Sequence, residues 1–382
     1  MNEDKINMLS DKIVKGTVNE AELAEFNEWY TTYEDVSVTV NSDQNEDALA
    51  QRMFKNIAEA ANLPVPKTRK LQLWPRIAIA ASILLIAGAG LFYTFKQHQK
   101  TEQTNAYLKQ IKPGGNGAIL TLADGRKIRL DAATQGELAN EAGVRISKTK
   151  DGQILYEIKG GKSAKDKINT LSTEKGETYV ITLPDQSTVY LNAASSLSYP
   201  ASFAELNERR VELSGEAYFE VAKDAAHPFI VRTMDQEIQV LGTHFNVNSY
   251  RDELATKTTL LEGSVHIGLL SGKADAGIVI KPGEQAYIQA SKIYVNQVKA
   301  EDAIAWKNGY FRFNDETLEQ AMNKIARWYN VQIEYQDESI KRKNVYGSLS
   351  RFSSIADVLN LLELTETVKF EVVGNKIIVL RK

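Results

Sequence analysis

The stretch Ile119–Leu130, ILTLADGRKIRL, places apolar residues at alternate positions on both sides of Asp124-Gly125. An alternation of period two is typical of strands, and Asp-Gly is a strong signal for the turn that joins two of them. The same pattern recurs in Ile181–Leu191, ITLPDQSTVYL, where Asp185 stands 61 residues after Asp124. The sequence therefore predicts one hairpin that occurs twice, and not a long array of repeats.

Alternating runs continue for about a hundred residues beyond the second hairpin. Short strand-like segments follow one another at a spacing of about ten residues, which is typical of an antiparallel β sandwich or roll. The predicted strands are Arg210–Leu213, Ala217–Val221, Phe229–Thr233, Ile238–Leu241, Thr256–Leu261, Ser264–Ile267, Ile278–Ile280 and Gln285–Gln289.

The last 75 or so residues change pattern again. A strand at Tyr310–Phe313 precedes a helix that Asn314 can cap, and Val331–Tyr335 is the next strand. A second round has the same order, and the two strand–helix–strand units predict a compact α/β module. The helical face of the first unit carries Leu318, Ala321, Ile325 and Trp328, and the second unit comprises Val345–Leu349, a helix from Ile355 to Leu362, Val368–Val373 and Lys376–Leu380.

Residues 1–63 predict a small acidic helical bundle. They hold 13 acidic and 5 basic residues, a net charge of about −8. Asn19 and Glu22 have the spacing of a capping box. So small a core is better suited to binding a partner than to catalysis, although a solvated acidic surface without a partner is the alternative. Apolar residues at helical spacing are Ile6, Leu9 and Ile13, then Leu23, Phe26 and Tyr30 with Trp29 beside them, then Leu49, Met53, Ile57 and Ala60, whereas Val36–Val40 alternates like a strand or loop.

The segment Ile77–Phe95, IAIAASILLIAGAGLFYTF, holds no charge and no proline. As a helix its 19 residues would extend ~28 Å, close to the ~30 Å hydrocarbon core of a bilayer. This predicts a single transmembrane helix, and a buried core helix is the alternative. Four basic residues precede the segment and two follow it, which favours a cytoplasmic N-terminus: Lys67, Arg69, Lys70 and Arg76 before it, Lys96 and Lys100 after it.

No catalytic or metal-binding constellation is apparent. The chain has no cysteine, which excludes disulfides, thiolate zinc sites and a cysteine nucleophile. Lys112–Gly117 is glycine-rich but lacks the ending of a phosphate loop, so it predicts a turn. Neither a metal nor a cofactor is indicated, because the four histidines form no close pair: His98, His227, His244 and His266.

Between Thr173 and Ile267 a set of short pieces occurs in one order. They are Lys175-Gly-Glu, Thr182–Asn192, Ser195–Pro200, Arg210–Val221, His227-Pro-Phe229 and Val240–Val247, followed by Leu261–Val265. This stretch resembles the periplasmic domain of FecR-like transmembrane anti-sigma factors, also called sigma factor regulators. The family usually has glycine where Gln186 stands, so the second hairpin turn is expected to differ from type I′.

The resemblance extends to both ends of the chain. Lys15–Leu23, with Phe26 and Trp29, looks like the cytoplasmic anti-sigma helices of the family. The segment from Ala305 onward resembles a C-terminal module that is similar to the short N-terminal domain of secretins and TonB-dependent receptors.

These similarities imply a multi-domain α + β chain. Its expected parts are a small cytoplasmic helical bundle at 1–66, a single transmembrane helix at 77–95, a hairpin region at 106–168, a periplasmic antiparallel β sandwich or roll at 170–300, and an α/β module at 305–382.

The function that the resemblance implies is a relay at the inner membrane. The N-terminal helices would bind an extracytoplasmic-function sigma factor through Glu22, Leu23, Phe26 and Trp29. The periplasmic part would sense the signalling domain of a TonB-dependent outer-membrane receptor and so control genes for iron-chelate or glycan uptake. An intramembrane protease is a further expected partner at Gly88 and Gly90, and no direct contact with nucleic acid is expected.

Some family members cleave themselves at a Gly-Thr bond, for which Gly242-Thr243 is the matching pair. The alternative is that Gly242 allows a tight turn and Thr243 fills a strand. Apart from this cleavage the chain is not expected to be an enzyme. Other functions left open by the residues are a membrane-anchored periplasmic carbohydrate-binding module or enzyme, and a structural envelope protein.

Overall fold

A computed structural model describes residues 1–32, 46–61, 92, 107–131, 135–141, 144–150, 154–158, 166–270 and 277–382. The chain divides into two units, Met1–Ala87 and Gly88–Lys382.

The described residues of the first unit form three helices: α1 at Glu3–Val14, α2 at Glu20–Thr31 and α3 at Glu46–Ala60. Helix α2 begins as predicted, because Asn19 Oδ1 accepts a hydrogen bond from the Glu22 amide and the Glu22 carboxylate accepts one from the Asn19 amide. This capping box satisfies two backbone donors that the first helical turn would otherwise leave unpaired. The predicted alternation at Val36–Val40 lies outside the described residues.

Nineteen strands of the second unit join in one continuous hydrogen-bonded sheet. They are β1 (Gly115–Asn116), β2 (Ile119–Thr121), β3 (Lys127–Arg129), β4 (Gly136–Glu141), β5 (Val144–Lys148), β6 (Ile154–Ile158), β7 (Ile168–Ser172), β8 (Glu177–Thr182), β9 (Thr188–Leu191), β10 (Ser196–Pro200), β11 (Arg209–Glu220), β12 (Phe229–Arg232), β13 (Gln236–Val240), β14 (His244–Ser249), β15 (Thr256–Glu262), β16 (Val265–Leu269), β17 (Ile278–Ile280), β18 (Glu284–Gln289) and β19 (Lys292–Gln297).

Strand β11 is the centre of this sheet. Its first half pairs with β10 and β12, and its second half pairs with β9 and β14, so it joins two wings of strands. Val211, Leu213, Ala217 and Phe219 alternate along β11 and are buried in one apolar core with residues of both wings. The period-two pattern therefore sets the inner face of the central strand.

Both predicted hairpins are confirmed. Strand β2 pairs with β3 around Asp124-Gly125, and β8 pairs with β9 around Asp185. At the second turn Gln186 adopts a φ of 68°, a left-handed conformation that glycine takes more readily. The Asp185 carboxylate holds this turn by accepting hydrogen bonds from the backbone amide and the hydroxyl of Ser187, at 3.1 and 2.6 Å.

The C-terminal residues form two small sheets and two amphipathic helices. A short helix α4 (Ala300–Ala303) leads into β20 (Tyr310–Thr317), α5 (Leu318–Tyr329), β21 (Gln332–Tyr335), a 3-10 turn at Glu338–Arg342, β22 (Asn344–Ser350), α6 (Ile355–Glu363), β23 (Val368–Val373) and β24 (Lys376–Arg381). Strand β20 pairs with β22, and β24 lies between β21 and β23.

The predicted cap of α5 is wrong. Thr317 caps the helix in a box with Gln320, whereas Asn314 lies within β20. The strand continues past Phe313 because a bulge at Phe313/Glu316 restores its pairing with β22.

The predicted fold class is also wrong. Strands predominate in the described residues, and none of the helices found there is long and apolar enough to span a bilayer. The expected hairpin region and β domain are one sheet, since β2 pairs with β7 and β6 pairs with β8. Local periodicity predicts strands but does not report such distant pairings. Except for Phe92, the segment Ile77–Phe95 lies outside the described residues.

Candidate functional site

The predicted sigma-binding residues lie on α2, which pairs with α1 through two ion pairs. Lys5 pairs with Glu25, and Lys12 pairs with Glu22 at 2.7 Å. Leu9 of α1 is buried. These contacts hold α1 and α2 against each other. They matter because helices as short as these are only marginally stable in isolation.

Glu22 has its partners within this helical hairpin. One carboxylate oxygen accepts from Lys12 Nζ at 2.7 Å, and the other accepts from the Asn19 amide at 3.2 Å. The hydrogen bond from Lys12 lowers the pKa of the Glu22 carboxyl. Glu22 therefore keeps its charge at neutral pH, and it positions α2 whether or not it also meets a partner.

The apolar residues of α2 are only partly covered. The Phe26 ring lies 5.7 Å from Trp29 and 6.4 Å from Tyr30, centroid to centroid, while Leu23 is 38% exposed. Helix α3 has a more exposed apolar surface: Met53, Phe54 and Ile57 are each more than half exposed. The helical spacing identified Met53 and Ile57 but not Phe54. Where exposed apolar side chains form a contiguous patch they mark a surface that binds another protein, and these three residues are candidates for such a surface.

The bond between Gly242 and Thr243 lies between β13 and β14, beside a bulge at His244/Phe245. Gly242 has a φ of 151°, and a Cβ there would lie 2.8 Å from the Lys223 Cα, so the position requires glycine. Thr243 is buried, and its hydroxyl donates to the Ser264 carbonyl oxygen at 3.0 Å. The attacking group of the predicted cleavage is thus held in place by β15–β16.

A ring of hydrogen bonds joins the sheet to the C-terminal residues. The Glu216 carboxylate accepts from Asn192 Nδ2 at 2.7 Å and from Asn246 Nδ2 at 3.1 Å. Asn246 Oδ1 accepts from Trp306 Nε1 at 3.1 Å, and Asn192 Oδ1 accepts from Arg351 Nη2 at 3.1 Å. Arg351 Nη1 closes the ring by donating to the Trp306 carbonyl oxygen at 2.9 Å. These five residues are called the junction ring below.

The junction ring forms because three neighbouring strands align its members. Leu191 of β9 lies opposite Ala217 of β11, so Asn192 comes beside Glu216. Asn246 of β14 lies opposite Tyr218, on the same outer face of the sheet, and its side chain reaches Glu216 diagonally. The guanidinium of Arg351 lies 3.8 Å from the Trp328 ring centroid. Burial lowers the pKa of Arg351 to about 10, which indicates a cation largely removed from water.

Two further cations strengthen the contact between the sheet and the C-terminal residues. Lys307 Nζ lies 4.3 Å from the Tyr190 ring centroid and 4.5 Å from that of Tyr218, and it pairs with Glu220 at 3.1 Å. Arg327 donates to Glu253 at 2.6 Å, and both side chains are buried.

The glycine-rich stretch Lys112–Gly117 also packs between the sheet and the C-terminal residues, and it does not form a turn. Gly115–Asn116 form β1, parallel to β8. A Cβ on Gly114 would lie 2.5 Å from the Gly176 carbonyl oxygen and 2.7 Å from the Trp328 ring. The prediction of a turn at Lys112–Gly117 is therefore wrong, because glycine serves close packing there.

The described histidines lie apart from one another. His227 Nδ1 contacts Asp224 at 2.8 Å, and His244 Nδ1 lies 3.4 Å from Glu262. Within the described ranges no group of three or more histidine, aspartate or glutamate side chains could hold a metal ion.

Comparison with known proteins gives two family matches. The model described as FecR protein matches residues 169–266, and the model described as FecR, C-terminal, matches residues 310–379. Two crystal structures of a candidate anti-sigma factor from Parabacteroides distasonis ATCC 8503, at 1.65 and 2.50 Å resolution, are similar to this chain with 27% and 28% identity. Each has a TM-score of 0.52 and covers 56% of this chain and 99% of its own. Among curated proteins, none matches this sequence significantly.

Proposed function

We propose that this chain, a FecR-like protein with both the FecR domain and the FecR C-terminal domain, acts as an anti-sigma factor. The observation that carries the proposal is the presence of these two domains, in the order of the family, behind an acidic helical hairpin. The similarity to solved structures of a candidate anti-sigma factor supports it. In this proposal the N-terminal helices hold a sigma factor away from RNA polymerase.

Charge supports a sigma factor as the partner of the N-terminal helices. Proteins that bind DNA phosphates carry basic surfaces, and residues 1–63 hold 13 acidic against 5 basic side chains. Opposite charges speed association and select the partner, while apolar anchors supply most of the affinity. Glu22, Leu23, Phe26 and Trp29 are the proposed contacts, and the exposed Met53, Phe54 and Ile57 extend the apolar part.

The finer proposal is a relay between two compartments. The sigma factor is of the extracytoplasmic-function class, and the signal comes from the signalling domain of a TonB-dependent outer-membrane receptor for an iron chelate or glycan. An intramembrane protease is the proposed releasing enzyme.

For this relay we also propose a localisation. Sigma factors act on cytoplasmic DNA and the receptor lies in the outer membrane, so the chain is proposed at the cytoplasmic membrane with its N-terminus in the cytoplasm and its C-terminal part in the periplasm. Protease treatment of spheroplasts tests this: the C-terminal part is expected to be degraded and residues 1–63 to be protected.

The proposal includes self-cleavage between Gly242 and Thr243. The Thr243 hydroxyl oxygen attacks the Gly242 carbonyl carbon, its proton passes to the Thr243 nitrogen as the C–N bond breaks, and water then hydrolyses the ester. The products are a Gly242 carboxylate and a free Thr243 amine. The observation that supports this step is that the Thr243 side chain is buried and its hydroxyl is held by a hydrogen bond to the Ser264 carbonyl oxygen.

The experiment that tests the anti-sigma function is co-expression of the full chain with each extracytoplasmic-function sigma factor of its host, followed by co-purification. One of them is expected to bind at one-to-one stoichiometry and to dissociate more readily as salt is raised. Failure of all of them to bind would contradict the proposal.

A further inference from the structure

Strand β19 lies at an open edge of the large sheet. It pairs with β18 on one side, and no other described strand pairs with its second side. Proteins usually protect such an edge with charged residues, a bulge or a very short strand. Other edge strands in the described part of the chain have these devices: β3 carries two basic side chains, β4 has a bulge, and β1 and β17 are two and three residues long. Strand β19 pairs with β18 over six residues without a bulge, and its one charge, Lys292, stands at its first position.

The backbone of β19 directs every second residue toward this open edge. The turn that precedes it, Ala290-Ser291, has φ angles of 50° and 58°, as in a two-residue hairpin, so the pair of residues that closes the turn is hydrogen-bonded. The bonds to β18 then recur at even-numbered residues, and the Val298 amide continues them by donating to the Gly283 carbonyl oxygen at 2.8 Å. The N–H and C=O groups of the odd-numbered residues, among them Ile293 and Val295, therefore point away from β18.

The core side of β19 is incompletely covered. Ile293 packs against the apolar core of the sheet, and Val295 lies opposite the buried Ala286. Val295 itself is 42% exposed, although it lies on the face of the strand that is turned toward the core. A further strand beside β19 would cover this side chain and pair with the outward backbone groups.

The other face of β19 carries an aromatic stack that ends at the edge. Tyr294 lies opposite Tyr287 of β18, and their rings stack with centroids 5.0 Å apart and planes inclined by 15°. Because β19 is the last strand on this side, Tyr294 has a ring neighbour in the sheet on one side only. An aromatic residue on an added strand would extend the stack.

The sequence of β19, Lys-Ile-Tyr-Val-Asn-Gln, is complementary to itself when two copies run antiparallel about Tyr294. Tyr294 then lies opposite Tyr294 of the second copy, Ile293 opposite Val295, and Lys292 opposite Asn296. This register pairs the outward backbone groups of Ile293 with those of Val295, and it brings no like charges together. We propose that β19 is the contact between two copies of this chain, a twofold-symmetric pairing that joins their large sheets.

The match of β19 with itself is what favours a second copy over a strand of another protein. In the proposed register the aromatic stack continues across the twofold axis, and the apolar side chains on the core face meet each other. This contact goes beyond the proposed anti-sigma function, which requires a single copy of the chain. A dimer keeps the one-to-one ratio of chain to sigma factor.

Cysteine cross-linking of the full chain tests the contact, because the chain has no cysteine of its own. In the proposed register the two residues at position 294 form a non-hydrogen-bonded pair with Cα atoms about 4.5 Å apart, which a disulfide can bridge. With copper phenanthroline and oxygen as oxidant, Tyr294→Cys is therefore expected to form a disulfide-linked dimer about tenfold or more faster than two controls.

The two controls separate the proposed register from random collision. Asn296→Cys is in the same strand, but its two copies would lie four residues out of register, ~13 Å apart along the strand. Val279→Cys is on β17, another exposed edge. A rate for Tyr294→Cys that does not exceed that of either control overturns the proposal.

Light scattering of the solubilised full chain after size-exclusion chromatography gives a second readout without cysteine. Val295→Pro removes an outward N–H and no hydrogen bond to β18, so the variant is expected to keep its melting temperature while its dimer dissociation constant rises about tenfold or more. Tyr294→Lys places two positive charges opposite each other and should act alike. Tyr346→Lys, which changes an exposed tyrosine of β22, is the control.

Two results of this measurement would overturn the proposal. One is a wild type that remains monomeric at about 100 µM. The other is a pair of β19 variants that dimerise as tightly as the wild type. Co-purification of a sigma factor is independent of both, so failure of the dimer and failure of the anti-sigma function are told apart.

Discussion

Arg351 in the C-terminal module donates a hydrogen bond from Nη2 to Asn192 Oδ1 of the large sheet, 3.1 Å away and 159 residues earlier in the sequence. Its other terminal nitrogen donates to the Trp306 carbonyl oxygen. One side chain thus satisfies acceptors on both sides of the junction. This arrangement places Arg351 at the centre of the contact between the sheet and the C-terminal module.

Replacing Arg351 with methionine should therefore destabilise the junction. The change leaves two buried acceptors, Asn192 Oδ1 and the Trp306 carbonyl, without a donor, at about 1–3 kcal/mol each. Urea unfolding followed by tryptophan fluorescence measures the loss. Arg381→Met is the matched control, because Arg381 is 71% exposed, and a change of at most about 0.5 kcal/mol is expected there. Equal effects of the two variants would contradict the role of the junction ring.

Replacing Arg327 with methionine should lower the free energy of unfolding by an amount that depends on pH. Burial already raises the pKa of the Glu253 carboxyl, although Arg327 acts against that effect. Without Arg327 the buried carboxylate loses its paired cation, and breaking such a pair costs about 3–5 kcal/mol. The folded variant then holds a proton on Glu253 above the unfolded pKa of 4.5, so its stability falls as pH rises through that window.

The measurement is the free energy of unfolding of Arg327→Met and wild type at pH 5 and at pH 8. The difference between them is expected to be larger at pH 8. Arg126→Met breaks the exposed pair with Asp124 and should cost about 0–1 kcal/mol at either pH. A loss for Arg327→Met that is independent of pH would show that Glu253 does not take up the proton.

A pair of variants separates the two roles of Glu22. Glu22→Gln and Lys12→Gln both remove the ion pair between α1 and α2, and glutamine keeps the capping box. Only Glu22→Gln removes a negative charge that a basic sigma factor would meet. Glu22→Gln should therefore weaken sigma binding about threefold to tenfold, whereas Lys12→Gln should not. Equal weakening by both, measured by titration calorimetry at low salt, would mean that Glu22 acts only by positioning α2.

Self-cleavage should depend on the hydroxyl of residue 243. A denaturing gel of the purified protein is expected to contain fragments 1–242 and 243–382 for wild type and for Thr243→Ser. Thr243→Ala should remain a single band, because no oxygen is left to attack the Gly242 carbonyl. Thr233→Ala, which changes another buried threonine, is the control. Fragments in the Thr243→Ala sample would contradict the mechanism.

Patterns that depend on neighbours in the sequence were predictable. The turns at Asp124-Gly125 and Asp185 and the apolar face of α5 follow from turn chemistry and periodicity. The junction ring could not be predicted from the sequence. Glu216 and Tyr218 alternate with the core residues Ala217 and Phe219, so a period of two predicts them on an exposed face. Both are buried because the C-terminal module covers that face, and no local pattern tells which module covers which side of a sheet.

The same limit applies to the fold class and to the N-terminal helices. The strands expected in a separate hairpin region and β domain pair with each other across sequence distances that periodicity does not report. Helical spacing does not identify Phe54, because it lies outside the apolar stripe of α3 that contains Met53 and Ile57, yet all three residues are exposed. An exposed stripe and a buried stripe have the same spacing, so the sequence alone does not distinguish them.

The most direct test of the proposed anti-sigma function is to compare how wild type and a variant of α2 bind a sigma factor. The full chain, with Phe26 unchanged or replaced by serine, is co-expressed with each extracytoplasmic-function sigma factor of its host, and the bound fraction is measured after affinity purification. One sigma factor is expected to bind the wild type, and Phe26→Ser is expected to lower the bound fraction about tenfold or more. If no sigma factor binds the wild type, or if the one that binds is retained equally by Phe26→Ser, these helices do not bind a sigma factor as proposed.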